Sequence, residues 1–234
     1  MEENILPNHI GIIMDGNGRW ATKRGLARSL GHKAGADNLK KLLKHIYSRN
    51  IKYVSIYAFS TENFKRSKEE VGYLMDLAIK MFLKEAKVFI SEKIKVIFSG
   101  SKENLRADVI KAMTSIEKST EEFTERTLNI CFNYGGRCEI VDAFKKIIEQ
   151  LNNKKINMSD VNEELITNNM YQKLPPLDFV IRTSGELRTS NFMIWQSTYA
   201  EYYFPKVLFP DFDEEEFDIA IEEYFKRKRR FGGV

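Results

Sequence analysis

Four short polar runs carry the residue types that bind and activate anions. They are Asp15-Gly16-Asn17-Gly18-Arg19-Trp20, Ser60-Thr61-Glu62-Asn63, Asn133-Tyr134-Gly135-Gly136-Arg137, and the longer Arg182 to Asn191, each following an apolar stretch. Gly16 and Gly18 allow a tight turn whose N–H groups point into a concavity, and Arg19 adds a planar fork matched to phosphate oxygens. Asp15 beside such a cradle repels a phosphate unless a divalent cation lies between them. It is therefore a candidate metal ligand, and magnesium is the hard ion that suits carboxylate plus phosphate. The alternative for Asp15 is a turn in which it accepts from local backbone N–H groups.

Arg182, Arg188 and Ser190 form a second candidate anion site, in which two guanidinium groups and a hydroxyl hold a diphosphate. The competing role is surface pairing with Glu186 or Glu201, which accounts for one arginine more readily than two. Two phosphate sites imply two phosphorylated substrates. His32 is expected to open a helix and donate to a phosphate at its N-terminus, although an isolated histidine is more often a structural cap. Trp20, next to Arg19, and Phe64, near Arg66, set aromatic faces beside charge, able to stabilise a cation or seat an apolar tail but equally able to serve as core. No Gly-x-x-x-x-Gly-Lys-Ser/Thr, Gly-x-Gly-x-x-Gly or Gly-x-Ser-x-Gly run occurs, and no His- or Cys-rich metal cluster. The acidic run from Asp211 to Asp218 reads as the capped first turn of a final helix, with Asp213 and Glu216 at capping-box spacing. Lys226 to Arg230 then places cations at the end of that helix, or forms a patch for nucleic acid or anionic lipid.

The elements that must position these runs alternate. Strands are expected at 9–14, 52–59, 94–98, 128–132 and 177–181, and helices at 32–49, 67–93, 105–119, 138–151, 161–168 (capped by Asp160 with Glu163) and after Asp213. The strand at 52–59 is β-branched and aromatic on both faces, as in the middle of a parallel sheet. Strand-helix alternation predicts an α/β fold whose mostly parallel central sheet is covered by helices. Ligands of such sheets bind beyond the carboxyl ends of the strands, where the four polar runs fall. The helix at 67–93 is apolar beyond the needs of one core face, which suits it to line a channel.

The 234 residues include 37 Lys plus Arg, 33 Asp plus Glu and 43% hydrophobic residues, which excludes a disordered or collagenous chain. With only the polar stretch 152–157 resembling a linker, a single domain over 1–234 is expected. The net charge of +4 permits anionic ligands without marking a nucleic-acid binder. Two cysteines, Cys131 and Cys138, no secretory leader pattern and no long apolar run point to a reduced, cytoplasmic protein.

The run His9 to Ala21, His-Ile-Gly-Ile-Ile-Met-Asp-Gly-Asn-Gly-Arg-Trp-Ala, resembles the signature of the cis-prenyltransferases. Gly31 to Gly35, Tyr57 to Phe64, Asn133 to Arg137, Ile181 to Glu186, Ser190 to Phe192, Trp195-Gln196, Tyr199 to Glu201, Pro210 to Phe212 and Arg229 to Gly233 extend the resemblance over nearly the whole chain. It implies a homodimeric α/β domain with an apolar tunnel for a growing prenyl chain. It also implies Mg2+-dependent condensation of isopentenyl diphosphate onto farnesyl diphosphate in cis, giving undecaprenyl diphosphate, a lipid-carrier precursor for bacterial cell-wall synthesis. No nucleic acid is expected as a partner, and contact with membrane is peripheral, for product delivery. By motif position, Asp15 and Asn63 are the catalytic residues, and Asp15 with Glu201 handles the metal. Asn17, Gly18, Arg19, Arg28 and His32 resemble the allylic diphosphate site, Arg182, Arg188 and Ser190 the isopentenyl diphosphate site, and Gly16, Trp20 and Arg24 are implied as further substrate-binding residues. Phe59, Ser60, Thr61, Glu62, Phe64, Arg66 and Glu70 fall in the substrate-positioning stretch, and Arg230-Phe231-Gly232 in the segment that reaches the neighbouring subunit. The chain departs from the pattern at Phe64, where tryptophan is common, and at Leu187, where some relatives carry histidine.

Overall fold

Six strands of three to nine residues run in one direction through the computed structural model, which describes residues 5–227. They are β1 (His9–Ile13), β2 (Tyr53–Ser60), β3 (Ile94–Ser99), β4 (Arg126–Tyr134), β5 (Phe179–Arg182) and β6 (Glu201–Tyr203), in the order β3-β4-β2-β1-β5-β6. Every neighbouring pair is parallel. The expected sheet is therefore present, and all of it is parallel. β6 escapes sequence reading because three half-buried edge residues carry too little pattern.

The helices are α1 (Asn17–Lys23), α2 (Arg28–Ser48), α3 (Lys68–Ser91), α4 (Ala107–Thr120), α5 (Gly136–Asn152), α6 (Glu163–Asn169) and α7 (Glu214–Phe225). Three have a side-chain cap that satisfies an otherwise unpaired first-turn N–H: Ser67 accepts from Glu70 N, Asn162 from Leu165 N and Asp213 from Glu216 N. The cap of α6 is thus Asn162. Asp160, expected there, instead closes a capping box with Asn157 around the 3₁₀ turn Met158–Asp160.

Alternation along the strands divides the core. Ile10, Ile12, Val54 and Ile56 face α2, α3, α4 and α7 in the larger cluster, where Leu39, Leu42, Ile46, Phe82, Val109 and Phe217 are almost wholly buried. Each such aliphatic or aromatic side chain contributes about 1.5–3 kcal/mol. The opposite face packs Ile13, Cys131, Tyr134, Val180 and Phe192, and there Tyr134 Oη donates to buried Glu139 of α5 (2.6 Å).

A row of polar side chains crosses four strands. His9 Nδ1 lies 2.7 Å from the Pro175 carbonyl, which can only accept, so Nδ1 carries the proton and Nε2 accepts from the Ser55 hydroxyl (2.8 Å). Asn129 Nδ2 donates to Ser55 Oγ, and Ser99 Oγ donates to Asn129 Oδ1. Burial lowers the His9 pKa to about 4, against the weaker upward pull of Pro175 and Asp178. The imidazole is neutral, as the row requires.

Candidate active site

From β1 the chain crosses to β2 on one side, while β5 joins β1 on the other, so a crevice opens between the carboxyl ends of β1 and β5. Asp15 lies just beyond β1 and Arg182 ends β5. Arg182 Nη2 donates to Asp15 Oδ2 (2.8 Å), Arg19 Nη2 to Asp15 Oδ1 (3.2 Å), and the Gly16 N–H to the same oxygen (2.7 Å). Thr183 Oγ1 donates to the Asp15 carbonyl (2.7 Å) and fixes the turn from behind. Asp15 thus takes the turn role considered for it, accepting from the Gly16 N–H, and is also the charged partner of Arg182 and Arg19. Burial alone pushes its pKa up, but Arg182, Arg19 and the Gly16 N–H outweigh that and hold the carboxyl below its ordinary range.

Arg182 is 4% exposed, and its other terminal nitrogen donates to the Arg188 carbonyl (2.6 Å) and Ser190 Oγ (2.7 Å). Glu186 bridges the two halves, with Arg19 at 2.9 Å and Arg188 at 2.5 Å. The surface pairing weighed for Arg188 is therefore real in the free chain, while Arg182 is committed to the crevice. Ser184, Ser190, Asn191 and Met193 all adopt positive φ, a concentration of backbone strain at this one loop. Asn191 accepts from Arg137 N at the start of α5 and donates to Glu62 (3.1 Å), joining three of the polar runs.

The first run is a helix start, which was not expected. Gly16, with φ 103°, is the N-cap of α1, and α1 packs on α2 through two glycines one turn apart. A Cβ on Gly31 would stand 2.0 Å from the Asn17 carbonyl oxygen, and one on Gly35 would stand 2.1 Å from Asn17 Oδ1. Glycine at both positions is what lets Asn17 reach the crevice, where its Nδ2 donates to the Met14 carbonyl and its buried Oδ1 has no partner. Gly18 likewise leaves room for the Arg28 guanidinium, 2.8 Å from where a Cβ would sit. These two α2 glycines were missed as site residues; their spacing of four within a helical stretch was the available signal.

His32 does not open a helix: α2 starts at Arg28, behind Ala27, and offers no capping side chain to mark the boundary. It sits in the second turn, its buried Nε2 without a hydrogen-bond partner and 4.0 Å from Glu70 Oε1. Burial, Arg66 and Arg28 lower its pKa against the pull of Glu70, so the ring is neutral near pH 7. Glu70 also meets Arg66 (2.9 Å) and Arg28 (3.7 Å), a single carboxylate among three cationic or polar nitrogens.

A cavity of about 660 Å³ joins these groups, lined by Asp15, Asn17, His32, Tyr57, Ser60, Glu62, Asn63, Arg66, Arg182, Arg188, Ser190 and Asn191. Asn63 faces it with its Oδ1 accepting from Ser60 N (3.0 Å). Through Met14, Ala58 and Leu74 the cavity meets an apolar constriction of about 100 Å³, and through Leu39, Met81 and Phe82 that meets a chamber of about 330 Å³ between α2, α3 and the sheet. This is the apolar channel expected of the long helix. Ala58 is the extra residue of a β-bulge, with Tyr57 opposite Cys131 and Phe59 opposite Phe132, and it faces the junction of cavity and channel.

Not every expected site residue lines the cavity: Gly16, Gly18, Arg19 and Arg28 stand beside it without lining it. Trp20 Nε1 donates to Asp211 (2.6 Å), and Arg24 bonds the same carboxylate while lying 4.1 Å over the Trp20 ring. Phe59 is 1% exposed, packed against Phe64 and Phe132, and borders only the apolar constriction. Thr61 and Phe64 line an adjoining open groove with Cys138 and Val141. Glu201 is the clearest departure: it begins β6 in register with Phe179, three residues or about 10 Å below Arg182 along the strands, and its carboxylate is 3.8 Å from Arg227. Within one chain it is not brought to Asp15. Among the described residues no group of three or more His, Cys, Asp or Glu could hold a metal ion, and no helix is long and apolar enough to cross a membrane. Arg229 to Gly233, including Arg230-Phe231-Gly232, lie outside the described residues.

A parallel α/β sheet whose switch-point crevice holds arginines, a depressed carboxylate and the mouth of an apolar channel defines a class of enzyme that handles anionic head groups on hydrocarbon tails. Comparison with known proteins narrows the class. Residues 13–232 match the family described as "Putative undecaprenyl diphosphate synthase". The chain is 50% identical over 234 residues to an isoprenyl transferase of Fusobacterium nucleatum, covering 100% of this chain and 99% of the relative. It is 48% identical over 231 residues to an isoprenyl transferase of Thermotoga maritima, covering 98% of each. Among solved structures it superposes on lavandulyl diphosphate synthase from Lavandula x intermedia in complex with dimethylallyl diphosphate, with a TM-score of 0.93, 33% identity and coverage of 97% of this chain and 98% of that one. The chain belongs to the isoprenyl transferase family of undecaprenyl diphosphate synthases, whose chemistry is cis-prenyl chain elongation.

Proposed function

We propose that this chain condenses isopentenyl diphosphate repeatedly, in cis, onto farnesyl diphosphate to give undecaprenyl diphosphate for cell-wall synthesis. The observation that carries the reading is the Asp15–Arg182 pair on the floor of a polar cavity that continues into an apolar channel. An allylic diphosphate fits the side of Gly16 to Arg19, Arg28 and His32, with its tail in the channel. A dimethylallyl diphosphate in the lavandulyl diphosphate synthase structure supports a diphosphate of this kind. Isopentenyl diphosphate fits the side of Arg182, Arg188 and Ser190.

In the reaction the allylic C–O bond breaks, its electron pair leaving with the diphosphate. The isopentenyl double bond attacks the freed carbon, and a proton leaves the new chain. The residues that accelerate this step must bind the departing oxygens more strongly as charge develops there than before. Arg19 and Arg28 suit that role, each released from Glu186 or Glu70 when a diphosphate takes their place. Neutral His32, with an unpartnered buried Nε2, and Asn17 orient the diphosphate without adding charge. Asn63, held by the Ser60 N–H, positions the reacting partner.

Magnesium fits the donor set, since this ion keeps several waters and needs only one or two carboxylates plus phosphates. Asp15, ionised by its arginine neighbours, would hold it, and the ion would neutralise charge on the leaving group. A homodimer is supported by Val141, Phe144 and Ile148, exposed on one face of α5. The test is incorporation of radiolabelled isopentenyl diphosphate with farnesyl diphosphate as primer, with and without magnesium, followed by chain-length analysis. Long-chain product that disappears on chelation and returns with magnesium is expected, whereas incorporation indifferent to chelator, or none with any allylic primer, would reject the reading.

A further inference from the structure

The inward face of α3 reads Met75, Ala78, Phe82, Glu85 and Phe89, five buried residues at spacings of three and four. Helical periodicity calls for an apolar residue at each. Glu85 breaks the series. It is 7% exposed, and its Oε1 lies 2.5 Å from Nζ of Lys40 on α2. Lys40 is also 3.8 Å from Asp37, but that carboxylate is mostly in solvent, so Glu85 is the inward partner. Neither Lys40 nor Glu85 touches the polar cavity. Both line the apolar chamber together with Leu39, Leu43, Phe82 and Phe89.

The pair stands at a definite depth. Leu74 borders the polar cavity, and Glu85 lies eleven positions further along the same helix, about 16 Å at 1.5 Å per residue. A tail advancing from the cavity passes Ala58, Leu77 and Phe82 in the constriction before it reaches the two charges. Up to that depth each added unit exchanges water for apolar wall. At the ion pair two charges interrupt an otherwise apolar wall, and a hydrocarbon laid against them can satisfy neither while stripping the water that still reaches Lys40. Fold stability gives no reason of its own for the pair, because apolar residues of similar volume commonly replace a buried ion pair without loss.

We propose that the Lys40–Glu85 pair is a product-length gauge, a charged end-stop in the channel wall that limits how far the tail extends in this direction. It rests on the chain-elongation reading above. It acts through the desolvation of two charges rather than through the bulk of one side chain, so it predicts a dependence on charge at constant volume.

The experiment measures product length by chromatography of the labelled products from three variants and the wild-type chain. K40M/E85M replaces the pair by apolar side chains and is expected to lengthen the distribution by one or more isoprene units. E85Q, nearly isosteric, is expected to shift it in the same direction, and K40E/E85K, which restores a pair in reverse, to leave it at the wild-type length. An unchanged or shortened distribution in K40M/E85M, or equal lengthening in the charge swap, would overturn the gauge. Should K40M/E85M fail to fold by thermal melt, wild-type length in E85Q decides against it. Total label incorporated separates the two levels: no incorporation by the wild-type chain defeats the elongation reading, whereas normal incorporation with unmoved lengths defeats only the gauge.

Discussion

One carboxylate, Asp15, receives Arg182, Arg19 and the Gly16 N–H, and these hold it ionised in a half-buried site. It also meets the demand that charge in the crevice be placed before substrate arrives, since preorganised groups need not reorient as the transition state forms. Asp15→Ala is expected to lower single-turnover condensation by at least about 100-fold, the range found on removing a major electrostatic element. Rapid-quench measurement with substrate pre-bound would check it, and near-wild-type chemistry would remove Asp15 from the mechanism. The chemistry of this run was legible from two glycines, a carboxylate and an arginine in five positions. Its partner Arg182 was legible only as an anion binder, because the pairing joins residues 167 positions apart.

Among the elements, β2 and α3 have the most direct bearing on product. The bulge in β2 turns Ala58 out of the ladder and toward the mouth of the channel, where a methyl group leaves room for a tail. Ala58→Leu is expected to shorten the product distribution, and an unchanged distribution would remove Ala58 from length control. The long helices and five of the strands follow from periodicity and end signals that act over one or two turns. β6 and α1 do not, since one has only three residues and the other begins at a left-handed glycine with no side-chain cap. The placement of Trp20 and Arg24 likewise depends on Asp211, contributed by a 3₁₀ turn at the other end of the sequence.

For the whole molecule, pH and product affinity set the working range. His9 has a pKa of about 4 in the folded chain against 6.5 ordinarily, so the unfolded chain binds the proton more readily. The stabilisation from its neutral form is complete above pH 6.5 and is lost as pH falls toward 4, about 3 kcal/mol in all. His32, lowered in the same sense, adds to the loss. Urea unfolding at pH 7 and pH 4.5 should show this drop, and His9→Gln should flatten it; an identical drop in the variant would assign the dependence elsewhere. A tail held along the channel gains about 0.8 kcal/mol per buried methylene. Product departure is therefore expected to limit turnover, visible as a burst of long product on rapid mixing. A linear time course from the first turnover would place the slow step in the chemistry.

Composition and pattern by themselves determined a single α/β chain with polar runs at the ends of its strands, because hydrophobic periodicity, turn glycines and clustered arginines are local properties. They also marked a helix too apolar for one core face. Only the tertiary structure decided that Asp15 and Arg182 share one crevice, that Glu201 stands apart from them in the same chain, that Gly31 and Gly35 make room for Asn17, and that Lys40 of α2 meets Glu85 of α3 in the channel wall. Each of these depends on strand order and helix packing, which bring distant residues within a few ångströms. Sequence spacing carries no measure of that distance.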